Sequence, residues 1–263
     1  GLAADPEQRW PSMEILIGEL RRLVIPKTRR WLALGVAGGL AALGVGLGRY
    51  AEVGFRCDGS RTRLEGVWDE ERKQEVKAAV LGTGVPYARD AWERALEPTL
   101  DGYAAQWVAQ HQDACEATSV RQEQSPDLLD LRMGCLHRAK MELDAVAGIL
   151  ATADAEAVKN AYEMMGGLHP LARCADVDAL QAAVEPPPLH EADAVNGIRR
   201  SLSAVKADRN AGLHAEAKAR LDEAAQALTA VTYGPVHTEV ALEEGLVLHV
   251  LGQYVAAEAA LRR

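Results

Sequence analysis

Apolar and polar positions change rhythm three times along the chain. Ile15, Leu16, Leu20 and Leu23 recur at the spacing of one helical face. Ser12, after Pro11, stands where an N-cap is wanted, so a loop followed by a short helix is predicted there. Residues 32–48 carry no polar side chain at all. From about residue 60 onward, Ala- and Leu-rich stretches show the helical period, with charges between the apolar positions. Pro126 after Ser125 marks a turn between two such helices, and Glu185-Pro186-Pro187-Pro188 cannot continue a helix, which predicts a stiff linker. Asp127, Asp130 and Arg132 read as the charged first turns of the helix after Ser125.

Composition agrees with this rhythm. One Phe in 263 residues, few β-branched residues and abundant Ala, Leu, Glu and Arg favour helix over sheet. The predicted fold class is all-α: a single transmembrane helix, a helical ectodomain and helical hairpins.

The apolar run decides the predicted location. Trp31 to Gly48 would span roughly 27 Å as a helix, enough to cross a bilayer core. Lys27, Arg29 and Arg30 precede it and Arg49 alone follows closely, which places the N-terminus in the cytoplasm by the positive-inside rule. The expectation is a single-pass inner-membrane protein whose C-terminal region is extracytoplasmic. Gly35 with Gly39 and Gly44 with Gly48 have the small-residue spacing that would allow homodimerisation of such a helix.

The formal net charge of −9 is unevenly placed. Six Lys/Arg against four Asp/Glu leave the first thirty residues at +2 and the rest at −11. With no concentrated basic face, nucleic acid is excluded as a partner.

All four cysteines, Cys57, Cys115, Cys135 and Cys174, follow the apolar run, and an even count there points to disulfides. The predicted turn at Ser125-Pro126 would bring Cys115 alongside Cys135, the first choice among three pairings, leaving Cys57 to Cys174 by elimination. The alternative is a metal site: His111 and Cys115 share a helix face, and Cys135 with His137 lies across the turn. Cys135 and His137 diverge by about 200° on a helix, which suits a tetrahedral ion poorly. No metal or cofactor is therefore expected. Trp68, Trp92 and Trp107, with Tyr87 and Tyr103 nearby, read as core aromatics, with a ligand pocket as the rival reading.

Two stretches resemble parts of known families. "GLAADPEQRWPSMEILIGELRRL" resembles the end of the catalytic domain of bacterial serine/threonine protein kinases of the eukaryotic-like type, on Asp5, Pro6, Arg9, Pro11 and Ser12. The resemblance implies that residues 1–25 are the C-terminal remnant of a kinase domain, in which Arg9 would pair with the glutamate of an A-P-E motif. The Gly-rich loop, the ATP lysine, H-R-D and D-F-G are not in this chain, so no catalytic residue is expected and the chain is read as non-enzymatic. Such a chain would be the tail of a kinase whose catalytic lobe lies upstream. Residues 57–188 resemble the region after the membrane helix in TPR-bearing members of that group, on Trp68, Thr83-Gly84, Pro86-Tyr87, Trp92, Trp107, Cys115, Gln124-Ser125, Arg132-Met133, Cys135-Leu136 and Cys174.

"AGLHAEAKARLDEAAQAL" and "LGQYVAAEAALRR" align at an offset of 40: Gly212 with Gly252, His214 with Tyr254, Ala217 with Ala257, Leu221 with Leu261. This series resembles a tetratricopeptide repeat, in which the glycines allow the turn between helices and the alanines a close approach. The predicted organisation is a kinase remnant over 1–25, a membrane helix over 31–48, a helical extracytoplasmic domain over 51–185 and truncated TPR-like repeats over 189–263. The function expected is that of a sensor or scaffold segment of a receptor-type kinase that binds a protein or peptide, with Asn196, Arg199, Arg200, His237 and Glu244 as groove candidates. A metal-binding periplasmic protein is the alternative.

Overall fold

The structure, a computed structural model, describes residues 4, 5, 7, 10–24, 57–181 and 186–263, and separates Gly1–Val53 from Gly54–Arg263 as two units. Among the described residues it is all helix, without strands.

In the first unit, α1 (Met13–Val24) begins where local chemistry demands: Ser12 Oγ accepts from Ile15 N at 3.3 Å. Its apolar residues Met13, Ile15, Ile17 and Leu20 are exposed. Asp5 Oδ1 accepts from Glu7 N at 3.1 Å, while Arg9 lies outside the described residues.

The membrane expectation is corrected. Among the described residues no helix is long and apolar enough to cross a membrane. Residues 31–48, on which that expectation and the glycine dimer face stood, lie outside the described residues. The single-pass inner-membrane placement is withdrawn on the finding for the described residues.

The second unit opens with a 3-10 segment, Asp58–Leu64, and α2 (Glu70–Gly82), capped by Asp69, whose carboxylate accepts from Arg72 N at 2.9 Å. Next, α3 (Ala88–Ala91), a π-helical stretch Trp92–Leu96 and α4 (Glu97–Ser119) run on from one another. Pro98 explains the π stretch: without an N–H it cannot complete the ladder, and the widened turn just before it absorbs the mismatch. Helix α5 (Pro126–Ala151) starts as expected, with Pro126 in its first turn and Ser125 Oγ accepting from Leu128 N at 3.2 Å. Then come α6 (Ala155–Gly166), a 3-10 turn Leu171–Cys174, and α7 (Val177–Gln181).

After the prolines, α8 (Ala192–Ala211) and α9 (His214–Leu228) form one hairpin, and α10 (Gly234–Val250) and α11 (Tyr254–Leu261) a second. Both hairpins turn the same way. Gly212 (φ +85°) and Gly252 (φ +76°) adopt the left-handed conformation, and the next N–H bonds back, Leu213 to Asp208 O at 2.8 Å and Gln253 to Leu248 O at 2.9 Å.

Helix α5 is the hub of the first core. Leu128, Cys135, Leu136, Ala139, Leu143, Val146, Ala147 and Leu150 form a buried stripe that meets α2, α4, α6, α7 and α8. Trp68, Trp92 and Trp107 are buried in this core, as expected, and Tyr87 is half-exposed. A second core joins Val195, Ile198, Leu202 and Val205 of α8 to α9 and α10. Helix α8 serves both, because Ala207 and Ala211 belong to the first core.

Candidate functional site

The cysteines are all bridged, but not as the hairpin argument paired them. Cys57 joins Cys115, with α-carbons 5.7 Å apart, and Cys135 joins Cys174, at 5.4 Å. The Cys115–Cys135 and Cys57–Cys174 expectations are thereby corrected. The turn takes residues 120–125 out of the helices, so Cys115 lies four residues before the end of α4 at Ser119 while Cys135 lies nine residues after the start of α5 at Pro126, and the two stand at different levels of the pair and face different partners. Cys135 belongs to the buried stripe of α5 and meets the fully buried Cys174, whereas Cys115 turns to the Asp58–Leu64 segment and Cys57.

The same facing defeats the His111/Cys115/Cys135/His137 metal set, whose two cysteines belong to different bridges. A different cluster stands in its place: Cys135, His169 and Cys174 have ligand atoms within 4.8 Å of one another, with Cys135 Sγ 3.4 Å from His169 Nε2. Burial, followed by Arg138, Lys206 and Arg173, holds the His169 imidazole below its usual range, against the opposing pull of Glu142. With both sulfurs in a disulfide, that cluster offers one imidazole and no thiolate.

Arg132, read from sequence as part of a charged helix start, is buried and braces the Cys135–Cys174 bridge. Its guanidinium donates to Asp113 Oδ2 at 2.8 Å, Gln124 Oε1 at 3.0 Å and the Cys174 carbonyl at 3.3 Å. Arg132, ahead of Arg121, holds the Asp113 carboxyl below the usual carboxylate range. Only its position i−3 from Cys135 on the buried stripe could have signalled this.

The hairpin residues split into packing and exposed groups. Ala217 and Ala257 are buried between paired helices, and Gly212 and Gly252 make the turns. Tyr254 is 65% exposed, with its ring edge-on to His249 at 5.4 Å. Of the groove candidates, Arg199 is spent in a bidentate pair with Glu239 (2.6 and 2.9 Å), His237 bonds the Val231 carbonyl at 2.8 Å, and Glu244 pairs with Arg263 at 2.5 Å. The side chains of Asn196 and Arg200 make no hydrogen bond among the described residues. Glu191, unremarked in the sequence, is buried and accepts from Thr232 N (3.0 Å), Thr232 Oγ1 (2.6 Å) and Tyr233 N (3.0 Å), so the first turn of α8 caps the start of α10.

Among what α10 and α11 leave uncovered are several large apolar residues. Leu242, Val250, Leu251, Tyr254, Val255 and Leu261 are all exposed, Val255 at 85%. Beneath them only Leu248, Ala257 and Ala260 form a small third cluster. A group of large apolar residues open to water on one helical pair is the kind of surface that marks association. Searches for likeness find no family model, no curated protein and no solved structure that matches this chain.

Proposed function

We propose that this chain is a non-enzymatic scaffold whose TPR-like hairpins bind a protein partner by taking an amphipathic helix onto the exposed face of α10 and α11. The observation that carries the reading is the apolar surface of Leu251, Tyr254, Val255 and Leu261 on a hairpin that repeats its neighbour's left-handed glycine turn. Repeat hairpins bury such faces against another helix, at roughly 25 cal/mol per Å² of apolar area removed from water. The kinase-like pattern over residues 1–25 supports placing this scaffold in a protein of the eukaryotic-like serine/threonine kinase kind. The test is selection of binders from a library of displayed helical peptides. Recovered binders with an apolar stripe that lose the Val255→Asp variant support the reading. A library that yields none, or binders indifferent to Val255→Asp, overturns it.

A second reading rests on Cys135, His169 and Cys174. If the bridge between these cysteines is reduced, two thiolates and an imidazole are within reach of one zinc ion, with a fourth position open. Thiol titration with and without zinc separates the two: four oxidised sulfurs and no bound metal in the native chain exclude it.

A further inference from the structure

A cavity of about 360 Å³ lies between the Asp58–Leu64 segment, α4 and α5, walled on one side by the Cys57–Cys115 bridge. Its charge is unusual for this chain. Arg63, Lys140, His111 and His137 line it and no carboxylate does, although Asp and Glu outnumber Lys and Arg by 38 to 29 in the whole sequence. Neither Arg63 nor Lys140 forms an ion pair among the described residues. The neighbouring cavity beside Trp68 shows the ordinary arrangement, in which Lys73 is held by Asp101 at 2.8 Å.

The wall is fixed in place. The His111 ring stacks on Trp107 with centroids 5.0 Å apart, and the Trp107 indole N–H is itself anchored on the Leu136 carbonyl at 2.7 Å. Ser60 Oγ donates to the Cys57 carbonyl at 3.1 Å and meets His111 Nδ1 at 2.8 Å. Burial first, then Arg63 and Lys140, hold this imidazole neutral, with its pKa down at about 4. Burial, Lys140, Arg200 and Arg138 act in the same direction on His137. Met133 and Trp107 give the cavity an apolar floor.

We infer that this cavity binds a small organic anion, its carboxylate or phosphate oxygens held by Arg63 and Lys140 and its apolar body lying against Trp107 and Met133. Like charges gathered without a counterion repel one another, and an anion relieves that repulsion while the bridged, stacked wall loses little freedom on binding. The volume is at the small end of ligand sites, which fits an anion of one ring or a short chain.

The test uses the 263-residue chain and three probes by calorimetric titration in low-salt buffer: phenyl phosphate, inorganic phosphate and benzyl alcohol. Phenyl phosphate is expected to bind at one saturable site, at least tenfold tighter than inorganic phosphate, with no heat from benzyl alcohol. The double variant Arg63→Gln/Lys140→Gln is expected to weaken phenyl phosphate at least tenfold with unchanged circular dichroism, whereas Arg173→Gln, outside the cavity, leaves it unchanged. By NMR, the His111 titration midpoint is expected to rise when phenyl phosphate is bound. Absence of saturable binding, equal affinity for inorganic phosphate, or affinity indifferent to the double variant overturns the inference.

Discussion

Replacing Cys135 and Cys174 together by Ala removes a crosslink that closes a 39-residue separation. In the chain-entropy account, a loop of that size constrains the unfolded state by about 4 kcal/mol, and the 58-residue separation of Cys57 and Cys115 gives nearly the same. The two loops do not overlap along the chain, so their contributions should add, to about 8 kcal/mol. That sum is of the order of a whole domain's stability, about 5–15 kcal/mol. Either single-bridge variant should therefore fold with a urea midpoint lowered by roughly 1–2 M, taking a slope of about 2–3 kcal/mol/M. The variant lacking both bridges should show no cooperative transition. Urea unfolding by circular dichroism, with the pairings checked by mass spectrometry of non-reduced peptides, measures both points. A midpoint shift under about 0.3 M for each single-bridge variant, or a recovered Cys115–Cys135 peptide, refutes the reasoning.

Three further outcomes follow from the same contacts. Arg132→Met should cost about 2–4 kcal/mol in urea unfolding, because it leaves Gln124 and the Cys174 carbonyl without their donor, and Arg132→Lys should recover only part, since one ammonium cannot reach all three acceptors. Acid should destabilise the fold early: with the folded His111 pKa near 4 against 6.5 in the unfolded chain, the unfolded state binds more protons between those values. Stability is then lost as pH falls from about 6.5 to about 4, His137 and His169 act with the same sign, and His111→Gln should flatten the urea midpoint's slope in that window. Gly252→Ala should cost about 1 kcal/mol, a backbone cost alone, because nothing lies within 4 Å of the added methyl. Gly212→Ala should cost more, both measured by urea unfolding, since its methyl would sit 2.8 Å from the Asn160 amide that donates to the Ala211 carbonyl.

What proved legible from sequence was what short-range chemistry decides. Ser12 and Ser125 cap helices because a hydroxyl at that place satisfies an otherwise open backbone N–H, and neither needs tertiary context. Gly212 and Gly252 announced their turns because only glycine takes a positive φ cheaply, and the shared offset of 40 matches two hairpins closed alike. Facing was hidden. Cys115 and Cys135 were placed on the right pair of helices but not in the right register, and their partners depend also on which way each helix is rotated, which is set by the α5 stripe meeting several elements at once. Arg132 was hidden for the same reason, a charge being buried only where carboxylate, amide and carbonyl converge from three segments. The gathering of Arg63 with Lys140 joins residues 77 positions apart, so no local pattern records it. The apolar run at 31–48 pointed by its length to a membrane span, and the finding that no described helix could make one removed that reading.

The uncovered face of α10 and α11 is most directly tested by amide hydrogen exchange on the full chain, with and without a selected amphipathic peptide. The account predicts slowed exchange confined to residues 234–261, and no slowing in the Val255→Asp variant. Slowed exchange elsewhere with α10 and α11 unchanged, or protection that survives Val255→Asp, would contradict it.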